Sequence, residues 1–73
     1  MTHSLVDPAT ITTEMAVRIR AWRVDDEFSW RAVAHAASEL WGSAYGSNQI
    51  YGRDLCTAAA LVLGENPHEE PWN

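Results

Sequence analysis

Ser29-Trp30-Arg31-Ala32-Val33-Ala34-His35-Ala36-Ala37-Ser38-Glu39-Leu40-Trp41-Gly42 is the stretch whose reading decides the fold class. Trp30, Val33, Ala34, Ala37, Leu40 and Trp41 recur at the three- and four-residue steps of an α-helix and gather on one side, while Arg31, His35 and Ser38 take the other. A strand, with its period of two, cannot sort them in this way. Ser29 suits the N-cap, where Phe28 at N′ can staple onto Val33 at N4; Asp25 or Asp26 is the alternative cap. Gly42 is placed to close the helix in the left-handed conformation. The pattern predicts a helix over 29–41.

Working outward, Gly42 to Gly46 reads as a glycine-bounded loop, after which Ser47 caps a third helix over 48–63. Its apolar face is Tyr51, Leu55, Ala58, Ala59 and Val62, and Gly64 ends it. Gly52 inside that helix costs about 1 kcal/mol relative to alanine, which predicts that another helix backbone crosses there closely. On the N-terminal side, Asp7-Pro8 reads as an N-cap followed by proline at the first helical position, with Thr12 or Thr13 as a later start. Ile11, Met15, Ile19 and Trp22 form the stripe of this first helix, over 8–23. The tail 65–73 holds Pro67, Pro71 and three glutamates, and reads as extended. The expected fold is all-α: a small three-helix domain, orthogonal or bundled, with an extended acidic C-terminal tail and no strand. Trp30, Val33, Ala34, Ala37 and Trp41 are expected to meet Ile11, Met15, Ile19, Trp22 and Leu55 in its core.

The 73 residues suffice for a single domain, and 47% apolar with 21% charged residues matches a globular chain. By surface scaling such a chain buries only about 60% of its unfolded surface, so its core is marginal. One cysteine forms no internal disulfide, and no Cys/His cluster offers a structural zinc. The opening residues carry neither a basic nor an apolar signal region, and no apolar run approaches the roughly 18 residues that span a bilayer. A cytoplasmic protein with no membrane partner is expected. His3, His35 and His68 are far apart and none has a second His or a Cys at i+3 or i+4, so neither metal nor cofactor is anticipated. Cys56 lies on an apolar shoulder of the third helix, where a thiol more often fills a core than attacks a substrate. Asp25-Asp26-Glu27 and Glu69-Glu70 read as solvated charge rather than as acid–base pairs. No phosphate loop or nucleophile elbow is present, and no enzymatic activity is expected.

Charge narrows the partners. The net charge is −5. Residues 1–36 carry four arginines against five acids, whereas residues 37–73 carry Arg53 against five. Such a field repels polyphosphates and anionic lipids unless the cations cluster. Four tryptophans are a better lead, since each buries a large area and its N–H still needs a partner. Trp22, Trp30 and Trp41 fall on helix stripes and read as core. Trp72, in a proline-flanked acidic tail, either folds back over the small core or anchors another protein.

Phe28-Ser29-Trp30-Arg31-Ala32-Val33-Ala34, with Ser47-Asn48-Gln49-Ile50-Tyr51-Gly52-Arg53-Asp54-Leu55 after the loop, resembles the two central helices of helix-turn-helix DNA-binding domains over about half the chain. The resemblance implies that Ala34 packs between the helices and that Ser47, Asn48, Gln49 and Arg53 reach DNA bases from the start of the third helix. Gln49, Arg53 and Thr57 share a face about 160° from Tyr51, Leu55 and Ala58. The segment from Ser47 to Gly64 nevertheless carries one Arg and one Asp, so counterion release on DNA would be small. A protein-interaction or accessory role, through a protein partner or a second copy, therefore ranks first, with Trp72, Glu69, Glu70 and Arg53 as expected partner contacts. DNA binding is the alternative.

Overall fold

A computed structural model of the protein describes residues 6–42 and 49–73. Asp7 caps a short 3₁₀ turn, Pro8–Thr10, its Oδ1 accepting from the Ala9 N–H at 2.9 Å. The backbone is then extended at Ile11 and Thr12, and the first α-helix, α1, runs over Thr13–Arg20. Thr12 Oγ1 accepts from the Met15 N–H at 3.1 Å. The continuous helix expected over 8–23 is thus corrected. The β-branched run Ile11-Thr12-Thr13 disfavours helix, and Thr12 satisfies more N–H demand as a cap than inside one. Val6 and Ile11 are both buried by the resulting bend.

The far end of α1 widens over Ala21–Asp25 into π-helical geometry, where Asp26 N–H donates to the Ala21 carbonyl at 2.9 Å and Phe28 N–H to the Trp22 carbonyl at 3.0 Å. Glu27 turns the chain with φ of 55°, in the left-handed region. Helix α2 follows over Trp30–Trp41, with Ser29 as its cap: Oγ accepts from the Ala32 N–H at 3.1 Å. At its end the Gly42 N–H closes on the Ser38 carbonyl. Gly42 has φ 109° and ψ 165°, which corrects the left-handed C-cap: the backbone leaves extended, in a region open essentially only to glycine.

Helix α3 spans Gln49–Val62. It ends in a Schellman motif, with Gly64 N–H on the Leu61 carbonyl, Glu65 N–H on the Ala60 carbonyl and Gly64 at φ 73°. The expected cap Ser47 and most of the glycine-bounded loop lie outside the described residues. The tail is not extended. Asn66 Oδ1 accepts from the His68 N–H, and the Trp72 and Asn73 N–H groups both return to the Glu69 carbonyl, so successive turns fold the segment back.

Three helices and no strand are present among the described residues, and α3 packs against both α1 and α2. Fully buried side chains are mostly small: Ala16, Ala34, Ala37, Ala58, Ala59 and Ala60, with Ile19, Val33 and Leu55 between them. Ala34, Val33, Ala37, Ile11, Ile19 and Leu55 therefore join as expected. The indoles do not follow the expectation. Alanine surfaces bring helices too close to admit an indole between them, so Trp22, Trp30 and Trp41 lie half-buried around the rim. Trp22 and Trp41 meet there at 5.5 Å with rings tilted by 54°. The largest side chain wholly inside is Trp72, 1% exposed.

Candidate functional site

The site starts from Gly52. A Cβ at that position would overlap the Trp30 carbonyl, so the first residue of α2 lies directly against α3. This is the close crossing that a glycine inside a helix foretells. It places the next residue, Arg53, beside the Trp30 indole, with the guanidinium carbon 5.3 Å from the ring centroid. Arg23, from the widened turn after α1, stands over the same ring at 4.8 Å. One indole thus holds two guanidinium groups by cation–π attraction, a contact worth about 0.5–1 kcal/mol when exposed and more when desolvated.

Around them opens a cleft of about 610 Å³ lined by Arg23, Ser29, Trp30, Arg31 and Gln49. Arg31 and Gln49 are exposed there. Arg23 is held in place by neutral groups: its Nη1 donates to the Phe28 carbonyl at 2.7 Å and its Nε to the Trp72 carbonyl at 3.0 Å. Carbonyl partners satisfy its N–H groups without cancelling its charge. On its other side Arg23 lines a second cleft of about 310 Å³ with Val24, Glu27, Glu70, Pro71 and Asn73. A third, of about 240 Å³ between α1 and α2, has Glu14 and Arg18 beside Met15, Leu40 and Trp41, and gathers no comparable excess of one charge.

Behind the clefts, Glu65 ties the tail to α1. Its Oε1 accepts from Trp72 Nε1 at 2.8 Å, and both of its oxygens lie 3.1 Å from Arg20 Nε. The indole hydrogen bond first, and the Arg20 bond after it, hold the Glu65 carboxyl below its ordinary range. Every buried polar atom of this latch is satisfied. Of the two alternatives for Trp72, the structure takes the fold-back over the core.

The four expected partner contacts are not brought together. Trp72 presents no indole surface, Glu69 and Glu70 are exposed on the folded tail, with Glu70 in the second cleft, and Arg53 stands over the Trp30 ring. Of the residues implied by the helix-turn-helix resemblance, Ser47 and Asn48 lie outside the described residues. Gln49 lines the cleft, Arg53 stands over the Trp30 ring, and Ala34 is buried. Helices α2 and α3 are separated by residues 42–48, more than the three or four of that motif. Cys56 is buried, and desolvation pushes its thiol up to about 12 against a weaker opposing pull from Arg23, so it stays protonated. Among the described residues no three of His, Cys, Asp or Glu gather as a metal site, and no helix is long and apolar enough to cross a membrane.

Sequence reasoning missed Arg23 and Arg31. The signal available was the density of cations, four of five arginines in residues 18–31. Comparison with protein-family models, with curated proteins and with solved structures gives no match.

Proposed function

We propose that this protein is a small helical interaction protein, working in the cytoplasm, that binds an acidic surface of another protein through the Trp30 cleft. The observation that carries this reading is that Arg23 and Arg53 stand over one indole, with Arg31 lining the cleft beside it, in a chain of net charge −5. A cluster of like charges costs stability and persists most readily where a counter-charge arrives from outside. Arginine and tryptophan are also the side chains that most often dominate binding energy at protein interfaces.

DNA binding is kept as the second reading because, of the residues that the helix-turn-helix resemblance assigns to base contacts, Gln49 lines the cleft and Arg53 stands over its Trp30 indole. Against it stands the acidic field of the rest of the molecule, which opposes a long polyanion more than a single acidic contact. The two readings separate in one experiment: tagged wild type and an Arg31→Glu variant of unchanged thermal transition are recovered from the native host with and without nuclease. A stoichiometric protein that is lost from the variant and indifferent to nuclease supports the interaction role. Nucleic acid lost from the variant would establish the second reading instead, and identical recoveries from both proteins would end the assignment of either function to this cleft.

A further inference from the structure

We infer that the Trp30 cleft is a phosphate-monoester site, so that the acidic group it takes from its partner is a phosphoryl group. The inference rests on the interaction reading for its source but not for its chemistry. Arg23 and Arg31 line the cleft and Arg53 stands against the indole that forms its wall, while Glu27 and Glu70 lie beyond Arg23 on the second cleft. The site therefore offers somewhat more than two positive charges. A carboxylate returns one negative charge and two acceptor oxygens; a phosphate monoester returns about −1.5 to −2 at pH 7 and three acceptor oxygens.

Donor chemistry points the same way. A guanidinium is a planar fork suited to bidentate contact with a phosphate, and less ordering entropy is lost when the fork is already held. Arg23 is held by two carbonyls and the indole, and Arg53 by the same indole. Ser29, whose Oγ accepts from Ala32, keeps an O–H to donate, and Gln49 adds an amide at the rim. A nucleic-acid strand fits less well. Its phosphodiesters carry one charge each, and base stacking on Trp30 would have to displace the guanidinium groups that stand over the ring.

The test is calorimetric titration of the whole chain with phenyl phosphate at pH 7.5 in about 0.15 M salt, where exposed charges are screened beyond about 8 Å. Saturable binding is expected, at least tenfold weaker in an Arg31→Gln/Arg53→Gln variant with an unchanged thermal transition, and at least tenfold weaker for acetate. Binding should also weaken below about pH 6 as the monoester dianion takes up a proton and becomes a monoanion. If the double variant loses its thermal transition, Arg31→Gln alone, at an exposed position, gives the comparison. Absence of saturable binding, or binding indifferent to these arginines, overturns the inference. A phosphoserine peptide that binds more tightly than phenyl phosphate, while its serine counterpart does not bind, marks a protein-borne group; equal affinity of peptide and phenyl phosphate marks a free phosphomonoester. A protein partner that depends on Arg31 without any phosphate binding sinks the phosphate site and leaves the interaction role. Phosphate binding without such a partner sinks the interaction role and leaves the site.

Discussion

Gly52 is the residue on which packing and site both turn. Alanine is favoured over glycine in a helix by about 1 kcal/mol, so Gly52→Ala would stabilise an isolated α3. In the folded chain its Cβ overlaps backbone, the Trp30 carbonyl, and backbone moves only by separating two helices. Overpacking of this kind costs about 1–3 kcal/mol, occasionally more. Gly52→Ala is accordingly expected to lower stability by about 2 kcal/mol in urea denaturation, and a rise in stability would show that α2 does not press on α3 there. Glu65 gives a prediction of a different sort. Its carboxyl is held below the ordinary value of 4.5 by Trp72 and then Arg20, so the folded state favours the ionised form. The stability it contributes is fully present above about pH 4.5 and is lost as pH falls through the lower, folded-state value. Denaturation midpoints of wild type and Glu65→Gln should therefore differ at pH 7 and converge on acidification; parallel pH profiles would show that the latch is not ionic.

At the scale of elements, much was legible because capping is local. The hydroxyl of Ser29, the alternative start at Thr12 and the terminating Gly64 each act within a few residues of themselves, and each lies where a side chain or a left-handed residue was needed. The glycine inside α3 was legible for the same reason: a local cost without a local return points to a tertiary cause. The turn between α1 and α2 was not. Val24-Asp25-Asp26-Glu27 announces a break, but the widened last turn of α1 and the left-handed Glu27 depend on where Phe28 must go to reach the core. A side chain at φ 55° carries a penalty of about 1–2 kcal/mol that glycine escapes, offset by up to about 1 kcal/mol from glycine's larger unfolded entropy. Glu27→Gly should consequently raise stability by about 0.5 kcal/mol and Glu27→Val should lower it, as thermal unfolding of the two variants will report. Equal destabilisation by both would mean that the Glu27 side chain itself holds the turn.

On the scale of the whole molecule, the distribution of indoles reverses what helix stripes suggest, because a stripe tells which side faces inward and not how deep the interior is. Six buried alanines leave a shallow space between helices, and rim positions suit Trp22, Trp30 and Trp41, while the tail brings its own indole in from the end. The Trp30 cleft was hidden for a related reason: Arg23 and Arg53 lie far apart in the chain, and only the crossing at Gly52 and the folding back of the tail set them on one ring. The tail and the cleft nonetheless answer to different tests. Trp72 is 1% exposed, donates to Glu65 and is bonded through its carbonyl to Arg23, so Trp72→Ala removes a large buried surface and breaks the latch together. Truncation of a buried tryptophan costs about 3–5 kcal/mol, a large share of the about 5–15 kcal/mol by which native domains are stable. The expected result is a steep fall in melting temperature, with phenyl phosphate affinity changed little at temperatures where the variant is still folded, since Arg23 keeps its Phe28 and Trp30 contacts. Arg31→Gln should do the reverse, leaving the melting temperature in place and weakening the ligand. Were Trp72→Ala to leave thermal unfolding unmoved, the tail would not be part of the core, and the support it gives to Arg23 from behind the cleft would fall with it.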